Sequence, residues 1–247
     1  MLTSVRRVFS VADPNGTLIW CTKGVSFWAL LSAILIKTRP NSILEFGGGR
    51  STTFLADYAF RFQKEGMTIE ESKLWQRKIT DDLKFMDLQG YSVHLAPLTT
   101  ETEPPWYDFA VVESLIGHRT FDLVFVDGPA RMTHRCNPRG QNIIRTAARD
   151  ARLIICDDVQ EPHDLDFFWE LTRRYPASGK FFYHYGRNVI AIGGAAEWAD
   201  VIKGCFEFLG MDYTHSMPPV PPHPKEWAAQ AEKRGWRRRL RNALGRE

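Results

Sequence analysis

The sequence predicts an α/β fold in which helices cover both faces of a mostly parallel sheet. Short apolar runs alternate with longer segments of helical periodicity from about Val25 onward, which is typical of βαβ units. The runs at 121–127 and 152–158 are almost entirely apolar, as central strands covered on both faces should be. The last two runs, 180–185 and 189–192, are separated only by a Gly-Arg-Asn turn, which predicts a hairpin and an antiparallel final strand.

The elements follow in order from these patterns. The first helix is expected over Val25–Ile36, an apolar run well short of the roughly 20 residues that span a bilayer. The other expected strands are 42–46, 66–70 and 91–95, and the other expected helices are 51–62, 73–88, 142–149, 165–175 and 195–209. Prolines between 217 and 224 predict an extended spacer, and a helix is expected over 225–244.

Length and composition favour one α/β domain with terminal extensions. The chain has 247 residues, of which 44% are hydrophobic. We expect an N-terminal extension and core-packing helix at 1–40, the ligand-binding domain at 41–210, and the Pro-rich spacer with a basic helix at 211–247.

Charge is distributed unevenly along the chain. Segment 233–247 has seven basic residues and one acid, which give it a net charge of +6. Because the net charge of the whole chain is +3, the rest of the chain has a net charge of −3. A body of negative charge argues against a broad nucleic-acid surface. The basic helix predicts contact with an anionic membrane surface or an acidic partner, and a solvated tail is the alternative.

Cysteine usage and the N-terminus favour a cytoplasmic protein, with peripheral membrane contact through the basic helix as an option. The four cysteines form no CxxC pair and have no histidine at zinc-finger spacing, so we expect reduced thiols. No charged segment followed by a cleavage motif opens the chain.

The segment 42–52 carries the chemistry, because an apolar strand ending in Glu45 runs into the turn Gly47-Gly48-Gly49. Such a turn presents backbone N–H groups and a helix N-terminus to a nucleotide-like ligand. The dinucleotide pattern would place a third glycine at Thr52, so that pattern is excluded. A second acid, Glu70, ends the next strand, where it can accept hydrogen bonds from ribose hydroxyls.

This E-x-G-x-G pattern with its second acid resembles the class I S-adenosylmethionine (SAM) dependent methyltransferases over about residues 25–194. The resemblance implies a Rossmann-like, seven-stranded, mostly parallel sheet with an antiparallel terminal strand. It places Glu45 near the methionine end of SAM and Glu70 on the ribose. The implied SAM-binding residues are Glu45, Gly47, Gly48, Gly49, Ser51, Thr52, Glu70 and Asp127. The adenine position holds 96–98, Ala-Pro-Leu, where the family often has a polar residue.

Asp127, at the end of the fourth strand, is similar to the family's substrate-side acid and is the predicted catalytic residue, assisted by His134. The segment 130–141 also holds three arginines that would pair with an anionic acceptor, or it is a solvated surface loop. Trp106 and Tyr107 are expected in the core, with an acceptor pocket as the alternative.

A divalent metal is a further option. Catechol-type O-methyltransferases place an acid of the fourth strand and an acid-Asn pair of the fifth around Mg²⁺, and this chain has Asp127, Asp157 and Asp158. The alternative is that one of the last two caps the following helix.

The resemblance thus implies O-methylation of a small-molecule or sugar acceptor. Two alternatives stay open, namely an aminopropyltransferase-like enzyme and a non-catalytic SAM-binding interaction module. The absence of an Asp-Pro-Pro-Tyr motif or a Pro-Cys nucleophile argues against methylation of DNA bases.

Overall fold

The computed structural model describes residues 9–12, 18–21, 26–129, 135–159, 162–185 and 188–216. Two short strands, β1 (Phe9–Ala12) and β2 (Leu18–Cys21), form an antiparallel pair ahead of the main sheet. The strands that follow are β3 (Ser42–Phe46), β4 (Glu65–Glu70), β5 (Tyr91–Leu95), β6 (Leu98–Thr99), β7 (Trp106–Tyr107), β8 (Leu123–Val126), β9 (Leu153–Cys156), β10 (Lys180–Tyr185) and β11 (Asn188–Gly194).

Seven of these strands form one sheet in the order β10-β11-β9-β8-β3-β4-β5. Neighbours from β9 to β5 pair in parallel, whereas β11 is antiparallel to both β9 and β10. The predicted seven-stranded, mostly parallel sheet with an antiparallel final strand is therefore confirmed. That final strand lies inside the sheet, and β10 forms the edge.

The helices are α1 (Ser26–Thr38), α2 (Arg50–Phe62), α3 (Lys73–Phe85), α4 (Phe109–Ile116), α5 (Pro138–Ala147), α6 (Pro162–Leu171) and α7 (Ala196–Phe208), with a 3-10 turn at Ala177–Gly179. None of the helices in the described ranges is long and apolar enough to cross a membrane.

Helices cover both faces of the sheet. Side chains of α1, α2, α3 and α7 pack with Ile43, Phe125 and Ile155 in one buried cluster. On the opposite face, Phe46 packs against Trp106 and Tyr107, with ring centroids 6.2 Å apart in each case. Burial on both sides explains why the central strands are apolar without alternation.

The region between β5 and β8 differs from the sequence-based expectation. No element was predicted there, but β6 and β7 form a small antiparallel pair and α4 follows directly. The Asp108 side chain caps α4 by accepting a hydrogen bond from the Val111 N–H at 3.0 Å. The described structure therefore places a hairpin and a helix between the third and fourth parallel strands.

Helix α5 also begins earlier than predicted, at Pro138 instead of residue 142. Asn137 accepts a hydrogen bond from the Gly140 N–H at 2.9 Å, and Pro138 occupies the first turn, where its missing N–H costs nothing.

Candidate functional site

The glycine turn between β3 and α2 packs directly on the loop that follows β8. Gly47 has φ +89°, and a Cβ at this position would lie 2.7 Å from the Gly128 nitrogen. A Cβ at Gly48 would lie 2.7 Å from the Ile79 Cδ1 atom. At Gly49 the nearest atom to an added Cβ is 4.0 Å away, so the protein itself leaves space there. Backbone packing therefore requires glycine at position 47, a side chain at position 48 would displace the end of Ile79, and position 49 borders open space.

Glu45 is fully buried beneath the first turn of α2. Its Oε2 accepts hydrogen bonds from the hydroxyls of Thr52 at 2.7 Å and Thr68 at 2.5 Å. Oε1 is also buried and has no partner of normal geometry among the described residues. Burial raises the pKa of Glu45 to about 7, although the hydroxyls of Ser51, Thr68 and Thr52 lower it. The carboxyl group therefore joins β3, α2 and β4 from inside the protein.

Thr52 connects this buried carboxyl to the glycine turn. Its hydroxyl accepts a hydrogen bond from the Gly49 N–H at 2.9 Å while donating to Glu45. The predicted residues Ser51 and Thr52 do lie in the first turn of α2, and both are buried. The geometry of the glycine turn thus depends on Thr52 and Glu45, two residues that the family resemblance assigned to SAM binding.

Glu70 lies at the end of β4 with a carboxylate that spans two loops. Its Oε2 accepts from the Gly48 N–H at 2.6 Å, and its Oε1 accepts from the Ser72 N–H at 2.7 Å. Burial raises the pKa of Glu70, while the backbone N–H groups of Ser72 and Gly48 lower it. Glu70 therefore holds the glycine turn beside the start of α3.

Asp127 and Asp157 extend β8 and β9 past their last residues and bring two carboxyl groups to the same edge. The Asp127 N–H donates to the Phe46 carbonyl at 2.8 Å, and the Asp157 N–H donates to the Val126 carbonyl at 2.9 Å. Burial and the neighbouring Asp157 charge raise the pKa of Asp127 well above its usual range. Burial and Asp158 raise the pKa of Asp157 to about 6.

Arg135 is a cation that lies between these loops, and sequence analysis did not predict its inward position. Its guanidinium donates to the carbonyls of Asp127 at 2.5 Å, Asp157 at 2.8 Å and Pro129 at 3.3 Å. Its Nη2 atom also lies 3.5 Å from the Asp127 Oδ1 atom, and the side chain is buried. Arg135 therefore fastens the end of β8 to the end of β9.

The predicted Mg²⁺ site is not supported. No three His, Cys, Asp or Glu side chains gather in a metal-binding arrangement anywhere in the described ranges. The Asp157 Oδ1 atom accepts instead from the Asp158 N–H at 2.8 Å, and Arg135 supplies positive charge beside Asp127. The residues expected as ligands, Asp127, Asp157 and Asp158, are therefore not gathered into a metal site within the described residues.

Other predicted residues have different positions or are not described. His134 and Arg131 lie outside the described residues. Arg139 is half exposed, and it pairs with Glu113 at 3.2 Å and stacks on Phe109 at 4.1 Å. Arg139 is thus engaged on α4, at a different place from Arg135.

Comparisons with known proteins give structural likenesses only. No protein-family model matches the sequence, and no curated protein matches it significantly. A Klebsiella pneumoniae protein provisionally described as an O-methyltransferase has 20% identity and a TM-score of 0.49, with 69% of this chain and 81% of that chain covered. A Bacillus cereus O-methyltransferase bound to S-adenosylhomocysteine (SAH) has 16% identity and a TM-score of 0.46, covering 68% and 81%.

A third likeness is to a T. thermophilus 16S rRNA N2 G1207 methyltransferase in complex with AdoMet and guanosine, at 17% identity and a TM-score of 0.45. It covers 76% of this chain and 45% of the rRNA methyltransferase. These likenesses carry no argument about activity. By the strand order of its own sheet, the chain has the seven-stranded Rossmann-like fold that its resemblance to the class I SAM-dependent methyltransferases predicted.

Proposed function

We propose that this protein is a SAM-dependent methyltransferase that transfers a methyl group to an oxygen of a small-molecule or sugar acceptor. The observation that carries the proposal is the position of Glu70, which ends β4 directly beside the glycine turn at the carboxyl edge of the sheet. Ligands bind at this edge in open α/β sheets because loops and helix N-termini converge there.

Glu70 has the acceptor capacity that a ribose requires. A carboxylate has about four acceptor positions, and the short hydrogen bonds from Gly48 and Ser72 use two of them. Those same bonds fix the orientation of the carboxylate, so a ribose diol would meet an already ordered partner. Little ordering entropy would be lost on binding.

The turn itself offers a surface for the rest of the donor. The open space beside Gly49 lets a ligand approach the backbone at the start of α2. Gly47 lies against Asp127 and Gly128, so the turn and the end of β8 form one continuous floor. We assign the methionine part of SAM to this floor, with Glu45 supporting it from below.

The transfer needs alignment, exclusion of water and removal of one proton. The acceptor oxygen attacks the methyl carbon of SAM in line with the departing sulfur, and SAH leaves as a neutral thioether. Asp127 is the candidate for orienting the acceptor hydroxyl and taking its proton. Burial and the neighbouring Asp157 charge raise the pKa of Asp127, so its carboxylate is a stronger base than an ordinary aspartate.

Calorimetry with SAM tests the donor site. Glu70→Ala should weaken SAM binding at least about tenfold, the equivalent of 1.4 kcal/mol, because charge-assisted hydrogen bonds to the ribose are lost. Glu65→Ala is the matched control, since Glu65 begins the same strand and is exposed. Equal affinity of both variants and the wild type would refute the assignment of Glu70.

Turnover tests the role of Asp127. Once labelled SAM and acceptor pools have revealed an acceptor, Asp127→Asn should lower kcat about 10²-fold or more and change SAM affinity much less. A variant with unchanged kcat would remove Asp127 from the catalytic role.

A second candidate, transfer of an aminopropyl group to an amine, is favoured by one observation. Carboxyl groups crowd the edge, and Arg135, which lies beside them, directs its guanidinium at backbone carbonyls. An amine acceptor would suit such an edge better than an anion does. Tighter binding of decarboxylated SAM than of SAM would favour this candidate, and tighter binding of SAM would favour methyl transfer.

Some predictions lie outside the described residues. The assistance of His134 and the contact of the basic segment 225–244 with an anionic membrane surface or acidic partner stay predictions, as does the cytoplasmic location.

A further inference from the structure

Tyr107, in the hairpin between β5 and α4, brings a hydroxyl group to the floor of the proposed donor site. Its ring is fully buried and packs on Phe46 and Trp106, with centroids 6.2 and 5.1 Å away. A Cβ added to Gly128 would lie 2.1 Å from the Tyr107 hydroxyl oxygen and 2.7 Å from the Gly47 Cα atom. The hydroxyl therefore lies at the junction of the glycine turn and the end of β8.

This buried hydroxyl has no hydrogen-bond partner within the described part of the chain. A phenylalanine would provide the same packing against Phe46 and Trp106 without burying an unpaired polar atom. The contrast with Tyr58 is direct, because the hydroxyl of Tyr58, which is also a buried residue, donates to the Pro40 carbonyl at 3.1 Å. Packing alone therefore does not account for the Tyr107 oxygen.

Charged groups of separate elements act electrostatically on the Tyr107 hydroxyl. Burial raises its pKa most, and the carboxylates of Glu71, Glu70 and Asp127 raise it further, while Arg135 lowers it. The phenol is therefore neutral, with one proton to donate and lone pairs that accept. Three carboxylates against one guanidinium favour a ligand group of positive charge at this point.

We propose that the Tyr107 hydroxyl is a binding residue for the amino-acid end of the methyl donor, and that it accepts a hydrogen bond from the donor's α-ammonium group. The inference rests on the proposed function, since it assigns a further contact within the same site. The α-ammonium would lie over the Gly47–Gly128 junction, with Asp127 supplying the opposite charge.

Tyr107→Phe tests the proposal, with Tyr58→Phe as the matched control. We expect the Kd for SAM and for SAH to rise about three- to tenfold in Tyr107→Phe, because one hydrogen bond to a charged group is lost. Decarboxylated SAM keeps the amine, so its Kd should rise by a similar factor. The Kd for 5′-methylthioadenosine, which lacks the amino-acid end, should not change. Tyr58→Phe should leave all four Kd values unchanged.

Thermal unfolding without ligand separates this role from a purely structural one. Tyr107→Phe should unfold at the same temperature as the wild type or higher, since it removes an unpaired buried hydroxyl, whereas Tyr58→Phe should unfold at a lower temperature. Wild-type affinities for SAM and SAH in Tyr107→Phe would overturn the proposal, and a lower unfolding temperature would then assign the hydroxyl a structural role. A similar rise in the Kd for 5′-methylthioadenosine would also overturn the proposal, and so would an unchanged Kd for decarboxylated SAM. Wild-type protein that binds none of these ligands would instead refute the proposed function.

Discussion

Glu45→Gln should remove a large pH dependence from the stability of this protein. The wild-type carboxyl is fully buried, and its pKa rises from an ordinary 4.5 to about 7. At 1.36 kcal/mol for each pKa unit, this difference corresponds to about 3 kcal/mol. The folded state therefore binds a proton that the unfolded chain releases more readily. The stabilisation from this group is complete below pH 4.5 and is lost as the pH rises through 7.

Glutamine fits the site in its neutral form. Its amide oxygen can take the place of Oε2 and accept from both Thr52 and Thr68. Its NH₂ group then takes the place of Oε1, which has no partner of normal geometry among the described residues. Any cost of that unpaired amide is the same at every pH, so it does not affect the pH dependence.

Urea unfolding at pH 4.5 and at pH 8 measures the effect. The free energy of unfolding of Glu45→Gln minus that of the wild type should increase by about 3 kcal/mol between these pH values. Carboxyl groups that do not interact with Glu45 occur in both proteins and cancel in the difference, whereas Glu70 and Asp127, which interact with Glu45, contribute to it. Glu65→Gln is the control, because it removes an exposed carboxylate from the adjacent strand β4 and shows how far such a loss changes the free energy of unfolding with pH. A difference for Glu45→Gln that stays constant with pH would refute the buried, protonatable state of Glu45.

Three further predictions concern the loops around the site. Gly128→Ala should lower the free energy of unfolding by at least about 1–3 kcal/mol, because its Cβ would lie 2.7 Å from the Gly47 Cα atom. Gly49→Ala should leave the unfolding temperature unchanged but weaken SAH binding in calorimetry. Equal unfolding temperatures for Gly128→Ala and Gly49→Ala would contradict the close packing of Gly128 against Gly47. Arg135→Met should cost about 2–3 kcal/mol in urea unfolding because buried carbonyls lose their donor, whereas the half-exposed Arg139→Met should cost about 1 kcal/mol or less. Methyl transfer should continue at the same rate after dialysis against a chelator, and recovery only with Mg²⁺ would show that the carboxyl groups do gather around a metal.

The sheet could be predicted from sequence because its strands obey strong physical constraints. Central strands covered on both faces must be apolar throughout, and β8 and β9 are fully buried. The hairpin joining β10 and β11 was recognisable from its short Gly-Arg-Asn connection, and the two strands do pair from Lys180–Gly193 to Tyr185–Asn188. Patterns set by burial and turn chemistry are local, so a single sequence reveals them.

The hairpin of β6 and β7 could not be predicted in the same way. Each strand has only two residues, which is too short for an alternating pattern. Helix α4 is largely apolar, so its periodicity is weak, although Asp108 carries the capping signal. Tyr107 was expected in the core, and that expectation is confirmed. The polar environment of its hydroxyl depends on residues from three distant elements and has no local signature.

The inward orientation of the Arg135 side chain is a second feature that could not be predicted from the sequence. Its segment contains four basic residues within twelve positions, and such composition suits a loop that reaches toward an anion. In the folded protein the guanidinium is buried because three carbonyls that extend past β8 and β9 converge on it. Charge composition predicts that a loop is basic, but only tertiary contacts decide which of its cations face inward.

The electrostatics of the edge follow from this arrangement. Arg135 lowers the pKa of Asp127 and of Asp157, yet both pKa values remain raised, because burial and the charge of a neighbouring aspartate, Asp157 for Asp127 and Asp158 for Asp157, are larger effects. A cation placed beside these carboxyl groups would lower their pKa values again, so binding of positive charge and release of a proton are linked. A sulfonium donor with an α-ammonium group provides such charge, and its thioether product has lost the sulfonium part of it. The acidic edge would therefore favour the proposed donor over its product, and this preference would assist release of SAH after each transfer.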